Sequence, residues 1–333
     1  MKNKRLIGTL IFLVILTVGS IVYDQFGSSS SSSSKQVKVG ILQYVTHDAL
    51  DEIEQGIEDG LKDAGYSGDK IKLTVLNAEA DQSKIQTMSK QLVDAGNDVV
   101  IGIATPAAQG LASATSEIPV VMGAISDPVG AKLVSNLEKP NKNVTGTSNQ
   151  VPIKQEVELI RDITPDAKTI GVLYASSEDN SVSQVADFKK YAEAEGLTVV
   201  EYAVPSTNEI TTTMSVMTTK VDAIWVPQDN TIASAFTTVI SAANEAKIPV
   251  YSSVDTMVEQ GSIASVAQSQ YQLGIETAKI AVEILEGKKV SEIPVKVIDT
   301  GTPTVNLKAA KELGITIPDS VLETATVAVK ADE

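Results

Sequence analysis

The chain contains no cysteine. Disulfides, thiol nucleophiles, iron–sulfur clusters and cysteine-ligated zinc are therefore excluded. A single histidine, His47, makes a histidine-based zinc site or a Ser-His-Asp triad untenable, and its ordinary role is a surface or capping one. Only two arginines occur, Arg5 and Arg161, and aromatic residues make up 4% of the chain. The net charge of −15 argues against a nucleic-acid partner, because phosphate binding needs a basic face. No G-x-G-x-x-G, Walker A, G-x-S-x-G or H-E-x-x-H motif is present, so the sequence calls for no enzyme activity, no cofactor and no metal.

What is present is 333 residues, 43% hydrophobic, enough for about two domains. The basic "MKNKR" precedes "LIGTLIFLVILTVGSIVY", an 18-residue stretch without a charge, from Leu6 to Tyr23. That length just spans a bilayer as a helix, and the basic flank keeps the N-terminus inside. The segment reads as an uncleaved signal anchor, with a removed signal peptide as the alternative. Seven serines follow within "FGSSSSSSSKQ" and read as a flexible linker. Residues 1–34 are thus expected to be membrane segment and linker.

From Gln36 onward, short apolar runs alternate with amphipathic stretches. "VKVGILQY" is a predicted strand; "ALDEIEQGIEDGLKDAG" places Leu50, Ile53, Ile57 and Leu61 on one helical stripe and stops at Gly65. "KLTVLNA", "DVVIGIA" and "IPVVMGAI" continue the first cycle. A second cycle starts at "TIGVLYA" and continues through "LTVVEYAV", "DAIWVPQ" and "IPVYSSV". β-branched runs separated by helices indicate parallel sheets covered on both faces. The fold class is α/β, with two similar doubly wound parallel-sheet lobes joined by a hinge. "VTGTSNQVP" reads as the crossover between them. The first lobe is expected over residues 35–147 plus 266–290, and the second over 148–265 plus 291–333.

Ligands of open parallel sheets bind beyond the carboxyl ends of the strands. The residues in those positions are Gln43 and Tyr44, Thr105, Asp127, Ser177, Asn180 and Ser181, Asp229 and Asn230, and Asp255. Thr105-Pro106 and Asp127-Pro128 both look like helix starts, a capping residue followed by proline. Helix N-termini suit a carboxylate, and Asp127 or Asp229 suits an ammonium. Tyr44 and Tyr271 are candidates for stacking on a planar ligand, or for core packing. Trp225 reads as core.

"VGILQYVTHDALDEIEQGIEDGL", "IGIATPAAQ", "ISDPVGAKLV", "NVTGTSN", "GVLYASSEDNS", "PVYSSVDTMVEQGSIASVAQSQYQLG" and "LGITIP" together resemble the substrate-binding proteins of ABC transporters with the type I periplasmic-binding fold. The branch most similar includes tryptophan- and tyrosine-binding proteins of Gram-positive bacteria, and the likeness runs from Val37 to Val329. The resemblance implies two lobes joined by three crossovers, a monomer that closes on an aromatic L-amino acid, and an ABC permease and ATPase as partners. It implies first-lobe contacts at Gln43, Tyr44, Thr105 and Asp127, and second-lobe contacts at Ser177, Asn180, Ser181, Asp229, Asn230 and Asp255. Alternatives are a nucleoside, a sugar, a branched amino acid, or a sensor feeding a membrane kinase. Gram-positive members usually carry lipid on a cysteine; here the N-terminal segment would anchor the chain to the outer face of the cytoplasmic membrane instead.

Overall fold

The computed structural model describes residues 36–140 and 142–332. The anchor and the serine linker expected over residues 1–34 lie outside the described residues. Among the described residues, no helix is long and apolar enough to cross a membrane.

The first sheet begins with β1 (Val37–Gln43), β2 (Ile71–Asn77), β3 (Val99–Ile103) and β4 (Val120–Ile125). They alternate with α1 (Asp48–Asp63), α2 (Gln82–Asp94) and α3 (Thr105–Ala114). β5 (Val144–Asn149) joins beside β4. The second sheet is built from β6 (Thr169–Ala175), β7 (Thr198–Val204), β8 (Ala223–Val226), β9 (Val250–Ser252) and β10 (Ala264–Ala267). Its helices are α4 (Ile153–Ile163), α5 (Asp179–Ala194), α6 (Ile210–Met217), α7 (Asn230–Ser234), α8 (Phe236–Ala246) and α9 (Asp255–Glu259). Then come α10 (Gln270–Leu285), β11 (Lys296–Ile298), β12 (Thr302–Asn306), α11 (Leu307–Leu313), α12 (Asp319–Leu322) and β13 (Thr326–Val329).

The first sheet runs β11-β5-β4-β3-β1-β2, all parallel. The second runs β13-β12-β10-β9-β8-β6-β7, parallel except where β12 lies antiparallel to β10. The chain passes between the sheets three times, after β5, after β10 and after β11.

Two expectations are corrected here. "VTGTSN" is not a crossover but strand β5, and only the residues after Asn149 pass to the second sheet. Its polar side chains concealed it: Thr145 and Thr147 are fully buried because their hydroxyls are bonded, Thr145 to the Ile293 carbonyl and Thr147 to the Met122 carbonyl and Thr277. β5 also packs tightly on β4. A Cβ on Gly146, whose φ is +145°, would stand 2.3 Å from the Met122 backbone. The second correction concerns β11, placed by its sequence position in the second lobe. It pairs with β5 in the first sheet, where the open edge beside β5 accepts it in parallel.

Each sheet is covered on both faces. In the first, α1 and α10 pack so closely that a Cβ on Gly56 would fall 2.2 Å from the Tyr271 carbonyl, and one on Gly274 2.2 Å from the Ile53 carbonyl. Side chains of α1 (Ile53, Ile57, Leu61) and α10 (Leu273, Ala278, Ala281) join Ile41, Ile101 and Val121 in one core. The second sheet has a separate core on each face. One holds Trp225 stacked on Phe188, ring centroids 4.0 Å apart; the other holds Leu173, Ile224, Met214 and Phe236. Burial at these positions supplies roughly 1.5–3 kcal/mol per large apolar side chain.

Candidate functional site

The carboxyl ends of both sheets face one cleft, as open parallel sheets require. On the first-lobe side, α1 begins at the wall and presents Ala49, Leu50 and Ile53. Ala104 and Thr105 follow β3, and Ala124 and Ser126 mark the end of β4. Ala104 and Ala124 both have positive φ, 74° and 60°. Such backbone is costly for a residue with a Cβ, about 1–3 kcal/mol each, and gathers where a site dictates the geometry. The Ala124 N–H is held by Thr147 Oγ1 at 2.9 Å.

On the second-lobe side stand Asn180 at the start of α5, and Gln228, Asp229 and Asn230 between β8 and α7. Ala233, Val254 and Met257 complete an apolar wall opposite Leu50 and Ile53. Asn149 and Gln270 sit at two of the crossings. Between the shut lobes the space is narrow, about 40 Å³ for the centres of water-sized guests. No lysine or arginine lines it among the described residues.

The lobes touch along the rim. His47 Nε2 lies 3.2 Å from Asn230 Oδ1, Gln109 Nε2 donates to Asp179 Oδ2 at 2.9 Å, and Ser183 Oγ donates to Asp127 Oδ2 at 3.0 Å. On α9's side, Gln260 Nε2 donates to Asp48 Oδ2 at 2.6 Å. Ala49, at the start of α1, packs into a second-lobe core beside Val254 and Met257. This is the shut arrangement of a two-lobed trap.

Inside the shut cleft, three buried polar atoms have no partner: Ser126 Oγ, Asn149 Oδ1 and Asn180 Oδ1. Buried polar groups are normally satisfied, so these three atoms have bonding capacity to offer a ligand. Burial first, then the neighbouring Glu178 charge, pushes the Asp229 carboxyl up to about 8. The backbone N–H groups of Ala175 and Ile232, which donate to it at 2.6 and 2.8 Å, pull the other way. Burial holds the His47 imidazole below its ordinary range.

A family model described as ABC transporter substrate binding protein matches residues 38–329. The chain belongs to the ABC transporter substrate-binding proteins. The family is a solute-binding class rather than an enzyme class; its members take up a small-molecule ligand outside the cytoplasm and work with the components of an ABC transporter. A relative from Clostridioides difficile strain R20291, a tyrosine-binding protein, is 37% identical over 320 residues, covering 94% of this chain and 93% of its own. A Streptococcus pneumoniae ABC domain, solved in complex with L-Trp, is 57% identical over 88% of this chain and 99% of its own, with a TM-score of 0.87. A ligand-free, open substrate-binding protein from Clostridium difficile is 38% identical over 88% and 99%, with a TM-score of 0.67.

Of the candidate residues in this binding protein, Thr105, Asn180, Asp229 and Asn230 line the cleft. Ser181 is buried and does not line the cleft; its hydroxyl accepts from Asn180 Nδ2 at 3.4 Å. Asp255 accepts from Gln270 Nε2 at 3.3 Å and so braces a lining residue. The others stand elsewhere. Gln43 is buried under the wall, donating to Asp51 Oδ1 and the Val45 carbonyl. Tyr44 is 2% exposed and packs with the first-lobe core, while its hydroxyl reaches Thr231 of the second lobe; it is not among the residues lining the cavity, and burial pushes it up to about 12. Tyr271 bonds Asp59 on α1. Ser177 is exposed and does not line the cleft.

Asp127 starts no helix. Its Oδ1 accepts the Gly130 N–H at 2.8 Å, capping a turn, and its Oδ2 takes Ser183. It is a rim residue beside a polar hollow lined by Gln150, Ser183, Gln184 and Asp187. Asp229 caps α7, its Oδ1 accepting the Ile232 N–H. Residues not anticipated from the sequence are His47, Ser126, Asn149, Gln228, Gln270 and the apolar wall. Ser126 follows β4 and carried the same positional signal as those chosen, whereas Asn149 ends β5, whose sequence does not read as a strand.

Proposed function

We propose that this binding protein captures an aromatic L-amino acid, tryptophan or tyrosine, between its lobes and presents it to an ABC permease and ATPase. The observation that carries this reading is the mixed lining of the cleft, which combines unpartnered polar atoms (Ser126 Oγ, Asn149 Oδ1, Asn180 Oδ1) with the apolar side chains of Leu50, Ile53, Val254 and Met257. A zwitterion with a large apolar side chain needs both. Met257 offers a polarisable sulfur to a ring edge. The backbone around Ala104 and Thr105, at the start of α3, offers N–H donors to a carboxylate. The names of the C. difficile and S. pneumoniae relatives point the same way.

A sugar is disfavoured, because no aromatic ring and no arginine lines the cleft among the described residues. The anchored monomer remains part of this reading, with the Leu6–Tyr23 stretch as its tether. The test is calorimetric titration with L-tryptophan, L-tyrosine, L-phenylalanine, L-leucine and a nucleoside. Saturable binding of the first two, at micromolar levels or tighter, is expected, about 8 kcal/mol or more. Binding of the nucleoside with none of the amino acids refutes the proposal.

A further inference from the structure

The second-lobe wall is organised by a side chain that does not itself line the cleft. Glu178, the residue before α5, is fully buried. Its Oε1 accepts from the Thr231 N–H at 2.8 Å and the Thr231 hydroxyl at 2.7 Å. Its Oε2 accepts from the Asn230 N–H at 3.2 Å, from Asn230 Nδ2 at 2.5 Å and, more weakly, from Asn180 Nδ2 at 3.4 Å.

An ionised carboxylate only accepts, so every side-chain amide it touches must turn its NH₂ group inward. Asn180 Nδ2 is fixed a second time by the Gln228 carbonyl at 2.8 Å, which is also acceptor-only. Both amides are thereby oriented by partners that admit no flip. Their oxygens face away from Glu178. That of Asn230 meets His47 across the cleft, and that of Asn180 is buried without a partner at the cavity. The negative charge behind them has no lysine or arginine among the cleft-lining residues to balance it. A buried charge so placed favours a cation close by. Asp229 is a poorer direct partner, since its oxygens already serve the Ile232 and Ala175 N–H groups.

We propose that Glu178 is the positioning residue for the ligand's ammonium group: it locks Asn180 and Asn230 with their carbonyl oxygens toward the cleft and supplies the charge against which the ammonium binds. This rests on the amino-acid reading above and names how that class of ligand is selected.

The test compares L-tryptophan with indole-3-lactate, which has a hydroxyl in place of the ammonium, on the full-length protein by calorimetry or displacement. The wild type is expected to prefer L-tryptophan strongly. Glu178→Gln keeps the shape and removes the charge; it should weaken L-tryptophan by about tenfold or more and indole-3-lactate by less than about threefold, so that the preference collapses. Equal loss for both ligands would mean a general scaffold role and overturns the proposal, as does no loss at all. Should Glu178→Gln fail to give a cooperative melt, Asn180→Ala leaves the Glu178 bonds to α7 intact and should produce the same collapse; an unchanged preference there also overturns it. A wild type that binds neither compound but binds a nucleoside removes the amino-acid reading instead, a distinguishable result.

Discussion

His47 Nε2 and Asn230 Oδ1 stand 3.2 Å apart, one on each lobe, and their pairing exists only while the cleft is shut. The amide of Asn230 is held by Glu178, so its oxygen faces outward as an acceptor and His47 Nε2 must carry the hydrogen.

That pairing makes closure sensitive to acid. Burial in the shut form lowers the His47 pKa, against the opposing pull of Asn230, Glu178, Asp51 and Asp48. The shut form therefore binds fewer protons at this site than an open one with an ordinary histidine near 6.5. Affinity attributable to it is full above about pH 6.5 and declines as the imidazole becomes charged below that. Titrations of ligand affinity between pH 5 and pH 8 should show this decline, and His47→Gln should flatten it. An equally steep decline in the variant would assign it to other groups.

At the opposite rim, Ser183→Ala removes the donor to Asp127. The pair is partly solvated, so the loss should be about 0.5–1.5 kcal/mol in ligand affinity, a few-fold in the dissociation constant. Asp127→Ala should behave similarly, because Asp127 grips a turn and the other lobe rather than the ligand. A hundredfold effect of Asp127→Ala on affinity alone would put this carboxylate back in the ligand's contact set.

Glu156 is buried in the second lobe, where its Oε2 accepts from Trp225 Nε1 and Ser253 Oγ, both at 2.8 Å. Burial pushes its carboxyl up to about 8, against those two bonds. Between its unfolded value near 4.5 and that folded value, the native state binds the extra proton. Stability from this group is thus complete below about pH 4.5 and is lost as pH rises through 8, with a limiting slope of about 1.4 kcal/mol per pH unit. Melting temperatures from pH 5 to pH 9, compared with Glu156→Gln, read this slope; identical profiles would show that Glu156 does not titrate there.

The contact of α1 with α10 tolerates no side chain at its crossing. Gly56→Ala would place a methyl 2.2 Å from the Tyr271 carbonyl and force the helices apart. A loss of about 1–3 kcal/mol in chemical denaturation is expected, with ligand affinity of the folded fraction little changed. Unaltered stability would mean that the two helices can slide at no cost.

The apolar runs of β1, β3, β4, β6, β8 and β9 were legible because parallel strands buried on both faces are dominated by apolar, often β-branched residues. β5 was not, since its threonines look like a turn until their hydroxyl partners are known. The site divides the same way. Position after a strand identified Thr105, Asn180, Asp229 and Asn230, because topology alone sends strand ends to the cleft. Leu50 and Ile53 share their helical stripe with Ile57 and Leu61, and nothing in the spacing tells the residues at the mouth from those in the core. In the sequence Glu178 is one more acid of an acidic chain; only the Asn230 and Thr231 donors, 52 and 53 positions away, show what it does.

The placement of β11 in the first sheet and of β13 in the second has a consequence for biosynthesis. Neither half can assemble its full complement of strands from a nascent N-terminal fragment: one waits for Lys296–Ile298, the other for Thr326–Val329. Each lobe thus owes an outer strand to a segment made long after its first strands, and a lobe that folds before that segment emerges presents an open sheet edge.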